Sequence, residues 1–420
     1  MNIQSIRGTK DILPPEASRW QYLEEISKKT FQLYGYEEIR TPIIEDLQLF
    51  KRSVGETTDI VEKEMYAFSD RGERDICLRP EETASVVRAY LESGLFKERE
   101  FIKLYYIGPM FRAERPQAGR MRQFHQVGVE VLGADSPYTD AEVIALLVNI
   151  IEKLGIKDYT VKLNSLGCAQ DRKKISDLLK DKLSSEEKLL CENCKARIKR
   201  NVFRVLDCKN EACIRVAQKL PTTLENLCKD CSDHFDKVKS CLDSLGVKYK
   251  ITPHLVRGLD YYTRTAFEVT AKGLGAQDAI AAGGRYDNLI KELGGPDTPA
   301  IGFAMGIERV LLAMEASKAG EPAKQELQLF IASLGDAAYE KSFGLLNELR
   351  KKGISSDMDF QNKSLKGQLR RANNLNAKFV AILGEDELKK GVIGLKNMKT
   401  SEQREIPLEK IVEEMDKSVK

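Results

Sequence analysis

The amino-acid sequence predicts an α+β fold: a mainly antiparallel sheet with flanking helices, interrupted by a mostly helical insertion and followed by a small α/β domain. Three observations point there. β-like runs stand in the body at 101–108 (FIKLYYIG), 126–133 (QVGVEVLG) and 265–271 (TAFEVTA). Between about 168 and 248 the texture changes to short, charged, cysteine-rich, helix-prone segments. Beyond residue 326 strand-like and helical segments alternate, the pattern of an α/β unit. A chain of 420 residues also exceeds the size at which one hydrophobic core usually stops growing. The boundaries expected are 1–320 for the body, with the insertion at about 168–248, and 326–420 for the last domain.

Along the chain, residues 16–34 carry apolar positions at helical spacing and stop at Gly35, a common helix terminator. EEIRTPIIE, from 37 to 45, follows as a strand in which Pro42 argues against a central ladder position. Residues 111–133 leave one strand-like run and return in another, so they form a hairpin with a basic loop holding Arg112, Arg115, Arg120 and Arg122. In AIGFAMGIERVLLAM, from 300 to 314, Gly302 and Gly306 mark a strand open to close approach, and Arg309 opens a helix. EPAKQE, from 321 to 326, is a polar, proline-containing linker. In the last domain QLFIASLG, KFVAILG and VIGLKNM are strand-like, and Leu365, Leu369 and Ala372 share one helical face.

Composition excludes several classes. The chain is 42% hydrophobic and 31% charged, as in ordered globular proteins, and its longest apolar run, VIALLVNII at 143–151, is too short to span a membrane. MNIQSIRGTKDILPP lacks the features of a targeting segment, so a cytoplasmic location is expected. The net charge of +3 is neutral on nucleic-acid binding, but residues 168–248 hold 18 Lys+Arg against 13 Asp+Glu, and KARIKRNVFR at 195–204 has five positive charges and no acid. That run is either a solvated helix face or a phosphate-contacting surface.

No GxxxxGK[ST] loop, GxSxG elbow or HExxH motif occurs, and the histidines are only His125, His234 and His254. A phosphate-binding enzyme of this composition must use arginines, whose guanidinium stays ionised and grips phosphate oxygens in a fork. In the hairpin Arg112, Arg115, Arg120 and Arg122 lie within eleven residues and Phe124 offers a flat ring to a base, a pattern a surface hairpin with no ligand shares, and Arg309 either joins them or sits in a structural ion pair.

Read in order, three segments resemble the motifs of class II aminoacyl-tRNA synthetases: GYEEIRTPII with Pro42; Phe111, Arg112 and Glu114 with Arg120 and Phe124; and the glycine-marked strand ending in Glu308 and Arg309. LVRGLDYYTRTAFEV at 255–269, AAGGRYDNL at 281–289 and RGTKDILP near the N-terminus are similar to the histidyl-tRNA synthetase family within that class, and KFVAILGEDEL with GLKNM resembles its anticodon-binding domain. The resemblance implies a histidine–tRNA ligase that takes ATP with Mg²⁺ as substrate, forms histidyl-adenylate and loads histidine onto the 3′ end of tRNA(His). It implies a homodimer, with residues 326–420 reading the anticodon and the basic insertion near the acceptor arm.

By the same resemblance Arg112 holds the α-phosphate, Arg309 the γ-phosphate of a bent ATP, and Phe124 stacks on adenine, with Arg120 in the same ATP-binding set. Arg257 is the catalytic arginine beside the α-phosphate, with Arg112. Glu130 and Tyr262 read the imidazole; Glu81 and Thr83 hold the α-amino group; Gln126, Tyr261 and Tyr286 complete the pocket. Residue 82 is Glu where bacterial relatives commonly have Gly, so Glu82 is expected to add a carboxylate beside the amino-group site.

Three cysteine pairs remain: Cys191 and Cys194, Cys208 and Cys213, Cys228 and Cys231. The CxxC pairs Cys191/Cys194 and Cys228/Cys231 suggest a zinc ribbon, but the 33 residues between Cys194 and Cys228 exceed the usual ~15–20. Reduced buried cysteines are the preferred reading and no metal ligand is assigned. The alternative function is a regulatory, non-catalytic paralogue that binds histidine and controls a biosynthetic phosphoribosyltransferase; retention of Arg112, Arg257, Arg309 and the terminal domain weighs against it.

Overall fold

A computed structural model describes residues 3–55, 58–117, 119–275, 278–320 and 326–419. The chain divides into two compact units, Met1–Glu321 and Pro322–Lys420. The linker expected at 321–326 lies outside the described residues except for Glu326.

Among the described residues the first unit is built on an eight-stranded sheet. Its spatial order is Glu37–Glu38, Ile102–Phe111, Gln123–Leu132, Ala300–Gly306, Ala279–Arg285, Thr263–Ala271, Tyr159–Ser165, Tyr249–Ile251. The six central strands pair antiparallel, and only the short outermost ones are parallel to their neighbours. Strands alternate their side chains across the sheet, so each sorts its residues by parity. Val127, Val129 and Val131, then Ile301, Phe303 and Met305, then Phe267 and Val269 all enter one core. That core is closed by the helices Glu16–Leu33, Pro137–Lys153, Lys229–Ser244 and Ile307–Ala316, through residues such as Phe31, Ile144, Val238 and Val310. The other parity, including Gln126, Glu130, Gly302, Ala304 and Glu268, lines a cleft on the opposite face.

The expected strand 37–45 is instead two short strands, Glu37–Glu38 in the large sheet and Ile44–Asp46 in a separate three-stranded sheet. The chain changes sheet across Thr41 and Pro42, because proline cannot donate to a ladder. The segment 168–248 is helical as expected, with helices Ala169–Ser185, Glu192–Arg200, Glu211–Ala217 and Lys229–Ser244. Its own core, from Ile175 to Leu220, is separate, whereas Phe235, Val238 and Leu242 of its last helix pack into the main core. In the second unit the sheet order is Ser356–Met358, Leu329–Ser333, Phe379–Leu383, Val392–Asn397, Gln403–Pro407, parallel for the first three strands and antiparallel thereafter. Ala372 is buried against Phe330 and Val380, with Leu365 and Leu369 packed beside it.

Candidate active site

The hairpin Ile102–Phe111 and Gln123–Leu132 and the strands beside it build the floor of a cleft of about 460 Å³. Register makes that floor. One row across the sheet runs Leu104, Glu130, Gly302, Gly284, Ala266; the next runs Tyr106, Gly128, Ala304, Ala282, Glu268. Small residues therefore sit beside the two carboxylates, leaving room above the backbone. A Cβ on Gly302 would collide with the Glu130 carboxylate, and one on Gly128 with the Tyr106 ring.

At one end of the cleft is a buried polar pocket. Glu130 accepts from Thr83 Oγ1 at 2.6 Å and from the Tyr286 hydroxyl. Burial pushes its carboxyl up to about 8; the Thr83 and Tyr286 hydroxyls partly offset this, and the nearby Glu81 and Glu82 carboxylates add to it. Glu81 accepts from the backbone N–H of Thr83 and Ala84 at 2.8 and 2.9 Å, capping the first turn of the helix Thr83–Glu92. Burial raises its pKa against those bonds. Tyr261 packs on Tyr262 and Tyr286, with ring centroids 4.7 and 5.6 Å apart, and Gln126 Oε1 is buried with no hydrogen-bond partner among the described residues.

Toward the open end lie the arginines. Arg112 Nε donates to Pro80 O at 2.9 Å and its guanidinium sits 5.1 Å from the Phe124 ring centroid, covering one face of that ring. Arg120 pairs with Glu114 at 2.9 Å. Arg309, at the start of its helix, donates to Gly119 O and Ala279 O at 3.0 and 2.8 Å, while burial and then Arg120 lower its pKa. Gly119 has φ +70°, and its missing side chain leaves space for Arg309 Cγ. Arg257 reaches Glu268 Oε2 at 3.1 Å, Lys162 holds the other oxygen at 3.3 Å, and the Arg257 Nε is buried with no partner among the described residues. Four arginines thus line a cavity whose inner end is a buried, acidic, tyrosine-lined pocket.

Of the residues expected from the sequence, Arg112, Arg120, Phe124, Arg257, Arg309, Glu81, Thr83, Gln126, Glu130, Tyr261, Tyr262 and Tyr286 all line this cleft. Glu82 does not. It is buried beneath the floor, paired with Arg79 at 2.8 Å and accepting from Thr41 Oγ1 at 2.6 Å. At a helix start successive side chains point different ways, so Glu81 and Thr83 can face the cleft while Glu82 cannot. Burial still raises its pKa to about 7. Sequence reasoning missed Glu268, although a charged residue between Phe267 and Val269 on a strand is signalled by the period-two pattern. It also missed Asp207 and Lys209, which reach the cleft from the insertion and carry no local signal.

AAGGRYDNL divides its work. Gly283 and Gly284 let neighbouring strands approach, Tyr286 enters the pocket, and Arg285 turns into the protein interior. There its guanidinium is fully buried against Asp140 at 2.7 Å and Asp287 at 2.9 Å, with Ala134 O and Ser136 O accepting as well. His234 Nε2 lies 2.9 Å from the other Asp140 oxygen. Those motif residues are structural supports of the cleft.

Residues 8–310 match the protein-family model described as histidyl-tRNA synthetase, and residues 328–418 match the anticodon binding domain. The chain belongs to the histidyl-tRNA synthetase family. It is 50% identical over 419 residues to the histidine–tRNA ligase of Halothermothrix orenii, covering 100% of both chains. Against the histidine–tRNA ligase of Desulforamulus reducens it is also 50% identical, over 97% of each chain. Its structure matches apo histidyl-tRNA synthetase of S. aureus with a TM-score of 0.85 and 38% identity, covering 99% of this chain and 100% of that one. The class II fold expected from the sequence is therefore the fold of this family.

Proposed function

We infer that this chain is a histidine–tRNA ligase, taking histidine, ATP with Mg²⁺ and tRNA(His) as substrates. What carries the inference is the convergence of Arg112, Arg257 and Arg309 on one cleft whose inner end holds Glu130, Thr83, Tyr261 and Tyr286. In activation an oxygen of the histidine carboxylate bonds to the α-phosphorus of ATP, and the bond to the bridging oxygen breaks, releasing pyrophosphate with its electron pair. The attacking carboxylate is already ionised, so no general base is needed. The requirement is fixed positive charge where negative charge concentrates. Arg257, held by Glu268, stabilises the pentavalent α-phosphorus; Arg112 grips the α-phosphate and carries one face of Phe124, whose free face stacks on adenine. Arg309 takes the γ-phosphate, with Arg120 beside it.

Glu130 and Tyr262 select the imidazole, Glu81 and Thr83 hold the α-amino group, and Gln126, Tyr261 and Tyr286 close the pocket. A ring hydrogen-bonded at both nitrogens is distinguished from analogues lacking them because those would leave buried polar groups unpaired. In the second half-reaction the 3′-terminal ribose hydroxyl of the tRNA attacks the histidyl carbonyl and AMP departs. We assign anticodon recognition to residues 326–420 and acceptor-arm contact to the insertion. The protein acts in the cytoplasm as a homodimer; among the described residues no helix is long and apolar enough to cross a membrane.

The test is pyrophosphate exchange with each of the twenty amino acids, wild type beside Arg257→Ala. Exchange with histidine alone, lowered about 10²- to 10³-fold in the variant, supports the assignment. Histidine binding without exchange moves it to the regulatory paralogue.

A further inference from the structure

The insertion brings Cys191, Cys194, Cys208 and Cys213 together, with all four Sγ atoms within 4.8 Å of one another. This is not the grouping the CxxC spacing suggested. Cys228 and Cys231 lie elsewhere, with Cys168 and Asp171, so no ribbon forms from Cys191, Cys194, Cys228 and Cys231. Spacing along the chain could not reveal this, because the intervening helices decide which pairs meet.

We propose that Cys191, Cys194, Cys208 and Cys213 form a structural Zn²⁺ site that fixes the insertion against the catalytic cleft. The chemistry of the set is specific: four thiolates are the preferred donors of closed, tetrahedral zinc sites. Zinc–sulfur bonds of about 2.3 Å place tetrahedral sulfurs about 3.8 Å apart, and Cys191 and Cys208 are 3.9 Å apart. That spacing is far from the ~2.05 Å of a disulfide, and all nine cysteines are free. Backbone N–H groups already point at the sulfurs: Cys191 N to Cys213 Sγ at 3.3 Å and Asn210 N to Cys208 Sγ at 3.5 Å. Such donors hold ligands in position and stabilise their charge. Asn210 also caps the helix Glu211–Ala217, accepting from Ala212 N at 3.0 Å, which fixes Cys213 within its first turn.

Leu190, Val205, Val216 and Leu220 share a hydrophobic cluster with the buried Cys194 and Cys213, against which the half-buried Cys191 and Cys208 pack. That core is small and separate from the main one, the situation in which a metal adds the missing stability. Asp171 of the other cluster accepts backbone N–H bonds from Cys228 and Cys168 at 2.9 and 3.3 Å, so its burial is explained by capping and no site is assigned there.

The site's position gives it a consequence for catalysis. Cys208 lies between Asp207 and Lys209, both of which line the cleft. Cys194 lies on the helix Glu192–Arg200, whose Arg197 and Arg200 pair with Asp59 and Glu62 at 3.4 and 2.7 Å. Just beyond it Arg204 reaches Asp59 at 2.7 Å, and Asn201 donates to Asp260 at 2.7 Å, three residues from Arg257. A metal joining Cys191 and Cys194 to Cys208 and Cys213 would clamp these contacts to the rim of the active site.

The test uses the full chain purified without a metal-affinity step. Elemental analysis should find one more zinc per chain in the wild type than in Cys194→Ser/Cys213→Ser. Chelator-stripped wild type titrated with Co²⁺ should give the intense visible absorption of tetrahedral cobalt thiolate, displaced by one equivalent of Zn²⁺. The stripped protein should show a raised KM for ATP that zinc restores. Equal zinc in wild type and variant, or stripped wild type that gives no cobalt–thiolate absorption, overturns the proposal. If the double variant does not fold, the cobalt absorption of stripped Cys228→Ser/Cys231→Ser, which retains all four proposed ligands and removes two thiols of the other cluster, decides the matter: its loss overturns the proposal.

Discussion

A buried carboxyl group lining a cleft ionises only where something replaces its lost hydration, and around Glu130 the replacements are two hydroxyls and no cation. The folded protein therefore holds a proton on Glu130 up to about pH 8, whereas the unfolded chain releases it near the ordinary value of 4.5. The stability this group contributes is full below about pH 4.5 and is lost as pH rises to about 8, each tenfold difference in proton affinity being worth about 1.4 kcal/mol. Glu130→Gln keeps the shape of the protonated acid and cannot ionise. Thermal melts without histidine should show the variant gaining on the wild type as pH rises from 5 to 8.5; parallel curves would refute this. In the histidine complex an imidazole N–H donating to Glu130 favours the ionised carboxylate, a charge-assisted bond the amide cannot make, so histidine-dependent exchange by the variant should fall roughly 10- to 100-fold. Glu130 was legible in the sequence through the family resemblance, because alternation in VGVEV turns its side chain away from the valines but by itself marks only a solvated position. Glu82 was misplaced because alternation stops where a helix begins, and its partners Arg79 and Thr41 are fixed by packing that no local pattern encodes.

Among elements, the strand Ala300–Gly306 does the most for the site while contributing no polar side chain to it. Its odd residues anchor it in the main core, and its even residues, Gly302, Ala304 and Gly306, are small enough to leave the ligand's space open. Gly302→Ala would drive a methyl group into the Glu130 carboxylate. Overpacking of this kind typically costs about 1–3 kcal/mol, so the KM for histidine should rise about 5- to 150-fold with little change in secondary structure by circular dichroism. An unaltered KM would show that the pocket floor yields. The glycines marked this strand in the sequence. The neighbouring Ala279–Arg285 was not foreseen as a strand, since AIAAGGR has only one β-branched residue and owes its conformation to partners on both sides. EEIRTPIIE failed in the opposite sense: its composition suits a strand throughout, but Pro42 stands where the chain leaves one sheet for another.

At the scale of the whole molecule, two compact units divide the chemistry from the recognition assigned to them. The unit Met1–Glu321 contains every cleft-lining residue, and Pro322–Lys420 has its own cores around Leu329, Ile331 and Ala381 on one face of its sheet and Phe330 and Val380 on the other. Neighbours in one strand serve opposite cores there, as the alternation of a sheet covered on both faces requires. A chain ending at Glu321 keeps the whole first unit, so it should catalyse histidine-dependent pyrophosphate exchange within a few-fold of the intact protein. Aminoacylation of tRNA(His) should fall far more, with the loss expressed in the KM for tRNA. The comparison of two reactions on one active site makes the result decisive. Damage to the cleft would lower both alike, whereas loss of a recognition domain lowers only the reaction that uses tRNA. Charging that survived the truncation would move anticodon recognition off residues 326–420 and leave the basic insertion to supply the contacts with nucleic acid.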